Sequence, residues 1–191
     1  MESFKIHNAI RLLPVCARLL FAAGCGRSND VRRLSQMLGE RIDFPTSMQT
    51  ADDRNVTAFV PDTSKSHIVV YFDSMSCQSC SIKRIPEWDE FIDSLSRICS
   101  DSEVIFVLSP KTTDYREARN AMITFSRDYK IALDSMGTFA NSNPCLSNDA
   151  RFHTFLLNPQ NEIIIVGSPL NNQAMWNLYK NELARMHGMN N

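Results

Sequence analysis

The stretch HIVVYFDSMSCQSCSIKRIP, residues 67–86, joins an apolar run to two cysteines and then to a helix-like pattern. Residues 68–72 are a continuous run of β-branched and aromatic side chains, which is typical of a strand buried on both faces. Cys77 and Cys80 follow that run, three residues apart. Such a pair is a redox dithiol, half of a zinc site, or two cysteines that are merely packed.

Downstream of the cysteines, helical and extended patterns alternate. Pro86 interrupts the first helical pattern, but the apolar stripe continues beyond it, so we expect a kink rather than an end. The predicted elements are a helix over 82–99, a strand at 104–108, a helix over 112–130, a strand at 131–134, a hairpin of 153–157 with 162–167, and a helix over 172–186. The order β-α-β-α-β-β-α predicts parallel strands joined by right-handed crossovers, followed by an antiparallel hairpin.

The N-terminus has the layout of a secretory signal. Lys5, His7 and Arg11 precede LLPVCARLLFAAGC, residues 12–25, so a positive region is followed by an apolar region and small residues. FAAGC resembles a bacterial lipobox, in which Cys25 would be lipidated and become the first mature residue. The alternative is an amphipathic or disordered tail with an incidental Ala-Ala-Gly-Cys.

These patterns divide the chain into three parts. Residues 1–25 are predicted to be a signal peptide with a lipobox, 26–62 an N-terminal tether and extension, and 63–191 the main domain. The net charge of −1 gives no indication of a nucleic-acid surface. No stretch approaches the ~20 apolar residues that cross a membrane as a helix.

With the cysteine pair at the end of the first strand of that order, the chain resembles the thioredoxin-like superfamily. The similarity is greatest to TlpA-like thiol-disulfide oxidoreductases, in particular membrane-tethered lipoproteins of Bacteroides-type bacteria. It covers about residues 63–191 and rests on VVYFDSMSCQSC (69–80), Pro86 and TFLLNPQNEIIIVGSP (154–169). The resemblance implies an α/β thioredoxin-like fold, with a central mixed sheet flanked by helices.

The same resemblance implies a function. It implies thiol-disulfide exchange with periplasmic protein substrates, without a cofactor or metal. The implied partners are protein thiols or disulfides, an upstream thiol-disulfide protein, and a membrane reached through the lipid on Cys25; no nucleic acid is expected. The implied location is the periplasmic side of a bacterial membrane.

Several family features are absent. Ser76 stands where a tryptophan is usual, and Gln78-Ser79 separates the cysteines in place of Gly-Pro or Pro-Pro. The buried acidic residue of thioredoxins falls at Tyr71, and the cis-proline that faces the dithiol falls at Phe152. A cis peptide bond without proline costs ~3 kcal/mol, so Phe152 is expected to be trans, in a reshaped loop.

These departures leave a second function open, namely a non-enzymatic binding module with the thioredoxin fold. They also single out three residues that could tune the dithiol: Asp73, which lies two places after Tyr71, Phe152, and His153 beside it. A structural role at the start of a strand is the alternative for His153.

The chemistry expected of the pair follows from its place at a strand-to-helix junction. Cys77, at the helix N-terminus, lies near free backbone N–H groups that favour a thiolate, and Lys83 and Arg84 add positive charge. Cys80 lies one turn inside, where it could attack a mixed disulfide. We therefore predict that Cys77 attacks and Cys80 resolves, with Cys77 the more exposed and the more acidic thiol.

A zinc site needs a second pair of ligands. Cys99 and Cys145 are single, and His67, His153 and His187 lie at no ligand spacing. A peroxiredoxin is the nearest enzymatic alternative, because Ser74-Met75-Ser76-Cys77 fits its Thr/Ser-x-x-Cys pattern, but Val70 stands where that family has proline. Cys99 is expected to be buried, whereas Cys145 is either a plain loop residue or faces the dithiol.

Overall fold

The computed structural model describes residues 28–186 and residue 188. The signal-peptide and lipidation predictions for 1–25, including Cys25, lie outside these residues. Two compact units divide the chain between Gln36 and Met37. In the first unit the structure describes residues 28–36, which form most of helix α1 (28–37). No helix in the described range is both long and apolar enough to cross a membrane.

The second unit contains the sheet and the remaining helices. Its strands are β1 (Gln49–Asp52), β2 (Asn55–Ala58), β3 (Ser66–Phe72), β4 (Ser102–Leu108), β5 (Lys130–Leu133), β6 (Thr154–Leu157) and β7 (Ile163–Val166). Its helices are α2 (Gln78–Lys83), α3 (Asp89–Ile98), α4 (Tyr115–Thr124), α5 (Thr138–Ser142) and α6 (Gln173–Met186), with short 3₁₀ segments at Ile85–Trp88, Thr112–Asp114 and Ala150–Phe152.

The seven strands form one mixed sheet in the order β2-β1-β5-β4-β3-β6-β7. The central strands β3, β4 and β5 are parallel, whereas β6 runs antiparallel to β3 and β7 antiparallel to β6. Helices join the parallel strands, as the alternating pattern predicts. The predicted fold, a central mixed sheet flanked by helices, is confirmed.

Burial on both faces explains the continuous apolar run of β3. Ile68 and Val70 join the core cluster that includes the apolar stripes of α3, α4 and α6. Successive side chains of a strand point to opposite faces, and Tyr71 packs its ring against Phe139 of α5, with centroids 5.2 Å apart. The carboxyl end of β3 therefore has packed side chains on both faces of the sheet. The cysteine pair follows shortly after this buried end.

Pro86 breaks the helix that follows the cysteines. The predicted kink in a continuous helix is wrong, because α2 ends at Lys83 and a 3₁₀ segment containing Pro86 separates it from α3. Proline has no N–H to donate, and the first turn of a new segment is where that donor is not needed. Ile85 and Trp88 are nevertheless buried, so the predicted apolar stripe still faces the sheet.

Residues 37–62, predicted as an extension outside the domain, belong to the same compact unit as the sheet. Their hairpin extends the sheet, because Gln49 of β1 pairs with Leu133 of β5. Phe44 packs against Phe59 and Phe139, with ring centroids 5.5 and 5.6 Å apart. These apolar side chains cover the face of the sheet that carries α5, and so the compact unit begins before residue 63.

Candidate active site at the Cys77–Cys80 pair

The two cysteines form a disulfide at the carboxyl end of β3. Their Cα atoms are 5.3 Å apart, within the usual range for a disulfide. Cys77 is the N-cap residue of α2, so its sulfur lies beside the first turn of that helix. Both cysteines are exposed. The predicted apolar cover of Cys80 is therefore wrong, whereas the prediction that Cys77 is the more exposed of the two stays a prediction.

Asp73 shapes the loop that leads from β3 to the disulfide. Its carboxylate Oδ1 accepts hydrogen bonds from the N–H and the hydroxyl of Ser76, at 2.8 and 2.6 Å. Its carbonyl oxygen accepts a third from the side-chain amide of Gln78, at 3.0 Å. Asp73 thus contacts the residues on both sides of Cys77, and this contact is the structural basis for any effect on the dithiol.

The two residues between the cysteines anchor α2. Gln78 is buried, with 2% of its surface exposed, and its amide nitrogen is held by the Asp73 carbonyl. The Ser79 hydroxyl donates to Glu117 Oε2 of α4 at 2.9 Å. Sequence reasoning did not identify Gln78 or Glu117 as site residues. Glutamine between two cysteines gives no local sign of burial, and Glu117 is 38 residues from its partner.

A groove of about 360 Å³ runs beside the disulfide. Its apolar wall comes from β3, the 3₁₀ segment before α3, and the loop before α6, whereas its polar wall comes from Arg84 and from the turn that precedes β6. The titratable and charged side chains that line it are Tyr71, Cys77, Cys80, Arg84, Arg151 and His153. The groove gives a partner molecule access to both sulfur atoms.

The turn before β6 stands where the resemblance implied a cis-proline loop. Phe152 lies in the 3₁₀ segment Ala150–Phe152, and its peptide bond is trans, as are all those in the described range. This confirms the prediction of a trans peptide at Phe152. The Phe152 side chain is buried, and the Arg151 guanidinium lies over its ring, 5.3 Å from the centroid. Phe152 is not among the residues that line the groove, whereas His153 is.

His153 is held at the start of β6 from two sides. Its Nε2 lies 2.7 Å from the carbonyl oxygen of Ser147, and its ring packs on Tyr71 with centroids 4.9 Å apart. The backbone N–H of Tyr71 donates to the His153 carbonyl at 2.8 Å. Burial raises the pKa of Tyr71, and the charge of Asp73 acts in the same direction, so the phenol is neutral near neutral pH.

The other described cysteines lie elsewhere. Cys99 is buried, as expected, and its sulfur accepts a hydrogen bond from the Ser102 hydroxyl at 3.0 Å. Cys145 is half-buried and does not line the groove. Burial, and secondarily the carboxylate of Glu40, raises the pKa of Cys145. Within the described ranges, no three His, Cys, Asp or Glu side chains are grouped so that they could hold a metal ion.

Comparisons with known proteins agree with the fold. No family model matches the sequence, and no curated protein matches it. Solved structures do match. The thioredoxin domain of a thiol-disulfide oxidoreductase from Bacteroides vulgatus superposes with a TM-score of 0.51 at 14% identity, covering 76% of this chain and 97% of that one.

Two further structures are similar to the same extent. A Chlorobium tepidum protein assigned as the thiol:disulfide interchange protein DsbE gives a TM-score of 0.51 at 13% identity, over 78% of this chain and 97% of that one. The C-terminal domain of an uncharacterized Bacteroides fragilis protein gives 0.50 at 14% identity, over 77% and 96%. The chain has the thioredoxin-like fold of thiol-disulfide oxidoreductases and carries a Cys-x-x-Cys pair at disulfide distance.

Proposed function

We propose that the chain catalyses thiol-disulfide exchange with protein substrates through Cys77 and Cys80. The observation that carries this proposal is the disulfide itself, exposed beside a groove at the end of β3. A disulfide that a partner can reach is open to exchange, whereas one that only stabilises the fold is usually covered. The solved proteins named above as oxidoreductases have the same fold.

The exchange is balanced within the pair and its substrate. The thiolate of Cys77 attacks one sulfur of a substrate disulfide, forming a mixed disulfide and releasing a substrate thiolate that takes up a proton. The thiolate of Cys80 then attacks Cys77 Sγ, re-forming the intramolecular disulfide and releasing the second substrate thiol. The substrate is reduced by two electrons and the pair is oxidised. An upstream protein dithiol returns the pair to the reduced form, and the reverse sequence oxidises a substrate dithiol.

Cys77 is the attacking thiol in this proposal because it is the N-cap residue of α2. The N–H groups of the first helical turn lack intrahelical acceptors, and they favour a negative charge on the neighbouring sulfur. Arg84 lines the groove as well, although Glu87 offsets part of its charge at 3.3 Å. Since both cysteines are exposed, the assignment depends on position in the helix and not on access.

The test is to equilibrate the protein in graded thiol buffers and to count alkylated cysteines by mass. We expect a single two-electron transition confined to Cys77 and Cys80. Cys80→Ser should accumulate a mixed disulfide with a substrate protein, whereas Cys77→Ser should not. Cys145→Ser is the matched control, because this half-buried residue does not line the groove.

A binding module with the same fold is the second candidate, and the turn before β6 favours it. The N–H groups of Phe152 and His153 donate within that turn, to the carbonyls of Asp149 and Ala150 at 2.9 and 3.2 Å. They are therefore not free to pair with an extended substrate. If the thiol buffers reveal no transition at Cys77 and Cys80, the binding module is the better description.

We further propose that the protein is a lipoprotein on the periplasmic side of a bacterial membrane, anchored through Cys25. The support is the order of charged, apolar and small residues before Cys25. The full-length protein should partition into detergent after expression in a bacterium, and Cys25→Ser should abolish that partition without changing the thiol transition. A mature chain that retains Met1, or unchanged partition of the variant, would exclude the anchor.

A further inference from the structure

His153 has a ring nitrogen without a hydrogen-bond partner among the described residues. Nε2 lies 2.7 Å from the carbonyl oxygen of Ser147. Because a carbonyl only accepts, Nε2 carries the proton, and the lone pair of the neutral ring is on Nδ1. Nδ1 is buried and unpaired. A buried polar atom without a partner is unfavourable, and each such case in a folded protein calls for an explanation.

The place of the residue suggests one. His153 lines the groove that Cys77 and Cys80 also line, and only 4% of the residue is exposed. The Ser147 hydrogen bond and the Tyr71 ring hold the imidazole in place, and the Tyr71 backbone N–H holds the main-chain carbonyl of His153. A base that is fixed in this way needs little reorganisation free energy when it accepts a proton.

The other titratable and charged groups of the groove do not provide such a base. Tyr71 comes from β3, Arg84 from the end of α2 and Arg151 from the turn before β6, and no carboxylate is among the lining residues. The two guanidiniums are paired outside the groove lining, Arg84 with Glu87 and Arg151 with Asp149. Of the side-chain types in the groove, only imidazole offers a neutral nitrogen that can accept a proton.

We propose that Nδ1 of His153 is the proton acceptor for a thiol of the reduced Cys77–Cys80 pair. The S–H bond breaks, an N–H bond forms at Nδ1, and the electron pair stays on sulfur as a thiolate. When that thiolate attacks a substrate disulfide, the proton passes from Nδ1 to the departing substrate sulfur. No electron is exchanged with the imidazole. This inference rests on the proposed exchange function and deepens it by naming the base.

The decisive variant is His153→Gln. The glutamine amide can still donate to the Ser147 carbonyl, but it offers no basic nitrogen. The measurement is the alkylation rate of each cysteine in the reduced full-length protein between pH 5 and 9, resolved by mass. We expect the faster cysteine to react about ten-fold more slowly at pH 7 in the variant, with its profile displaced upward by about one pH unit.

His67→Gln is the matched control, because His67 is fully buried on the same strand as Tyr71 but does not line the groove. Its profile should equal that of the wild type. Thermal unfolding reports whether each variant is folded, and if His153→Gln is not, His153→Asn takes its place.

Two results would overturn the inference. One is a profile in the His153 variant that coincides with the wild type, and the other is a uniform fall in rate at every pH, which indicates a structural role alone. The thiol-buffer titration of the wild-type protein distinguishes failure of the proton-acceptor inference from failure of the proposed exchange function. Without a two-electron transition the exchange function itself fails, whereas a normal transition with an unshifted His153 profile refutes only the proton acceptor.

Discussion

Replacing Asp73 with alanine tests what this residue does beside the disulfide. Its carboxylate holds the N–H and the hydroxyl of Ser76, the residue before Cys77, at 2.8 and 2.6 Å. Asp73→Ala removes both acceptors and leaves the carbonyl contact with Gln78 in place. The loop before Cys77 should then lose the two bonds that fix its conformation.

The size of the effect follows from those two bonds. A hydrogen bond contributes about 0.5–1.5 kcal/mol net, and more when one partner is charged. Asp73 and Ser76 are only half-buried, so water recovers part of the loss, and we expect the free energy of unfolding to fall by about 2 kcal/mol. For a chain of this size that lowers Tm by about 4–8 °C. Asp73→Asn keeps an acceptor at the same position without the charge, and it should lose about half as much.

The assay is urea denaturation and thermal unfolding of wild type, Asp73→Ala and Asp73→Asn, all with the disulfide intact. The alkylation profile of Cys77 in the reduced proteins is measured in parallel. If Asp73→Ala unfolds within 0.5 kcal/mol of the wild type, a margin typical of neutral surface changes, the two bonds do not fix the loop. A different result is also informative. If the pH profile of Cys77 alkylation shifts equally in both variants while the free energy of unfolding of Asp73→Asn stays unchanged, the charge of Asp73 acts on the thiol.

Three further predictions concern Trp88, Glu103 and Tyr129. Trp88 is buried with its ring edge-on to neighbouring aromatic rings, so Trp88→Ala should cost about 3–5 kcal/mol in urea denaturation; a loss below about 1 kcal/mol would contradict its place in the core. Burial acts to raise the pKa of Glu103, but His67, whose Nδ1 lies 3.4 Å from Glu103 Oε1, together with the charges of Lys65 and Lys130 outweighs it, so the pKa lies below the ordinary 4.5. A lowered carboxyl pKa gives stability that is present above pH 4.5 and is lost as the pH falls through the folded-state pKa. The difference in free energy of unfolding between wild type and Glu103→Gln should therefore shrink on acidification below pH 4.5. A difference that is constant with pH would refute this. Burial and the hydrogen bond to Asp89 raise the pKa of Tyr129 to about 12; Asp89→Asn should lower it in an ultraviolet titration, and no change would mean that Asp89 does not act on the phenol.

Much of the fold could be predicted from local patterns, because burial dictates residue type along a single element. The apolar run 68–72 required a strand covered on both sides, and it is the central strand β3. The stripe containing Trp88 and Leu95 required a helical segment against the sheet, and both residues are buried. The two cysteines directly after β3 could be placed at the strand's end for the same reason.

The sequence was less informative where two elements compete for the same residues. The stripe around Pro86 predicted one kinked helix, but the missing proline N–H ends the regular hydrogen-bond pattern and produces α2 and α3. Residues 49–58 have no strong alternation, so their strands depend on pairing with β5 and with each other. Strand pairing between distant segments leaves little trace in the local sequence.

The tertiary structure alone decided the surroundings of the disulfide. The sequence predicted Asp73 and His153 as candidates, but not that Asp73 would hold Ser76 or that His153 would line the groove with a buried, unpaired Nδ1. Cys80 was expected under apolar cover, and it is exposed. Residue types along one element reveal which side of it is buried. Which atoms meet across elements depends on the angles and distances at which those elements pack, and these are properties of the whole fold.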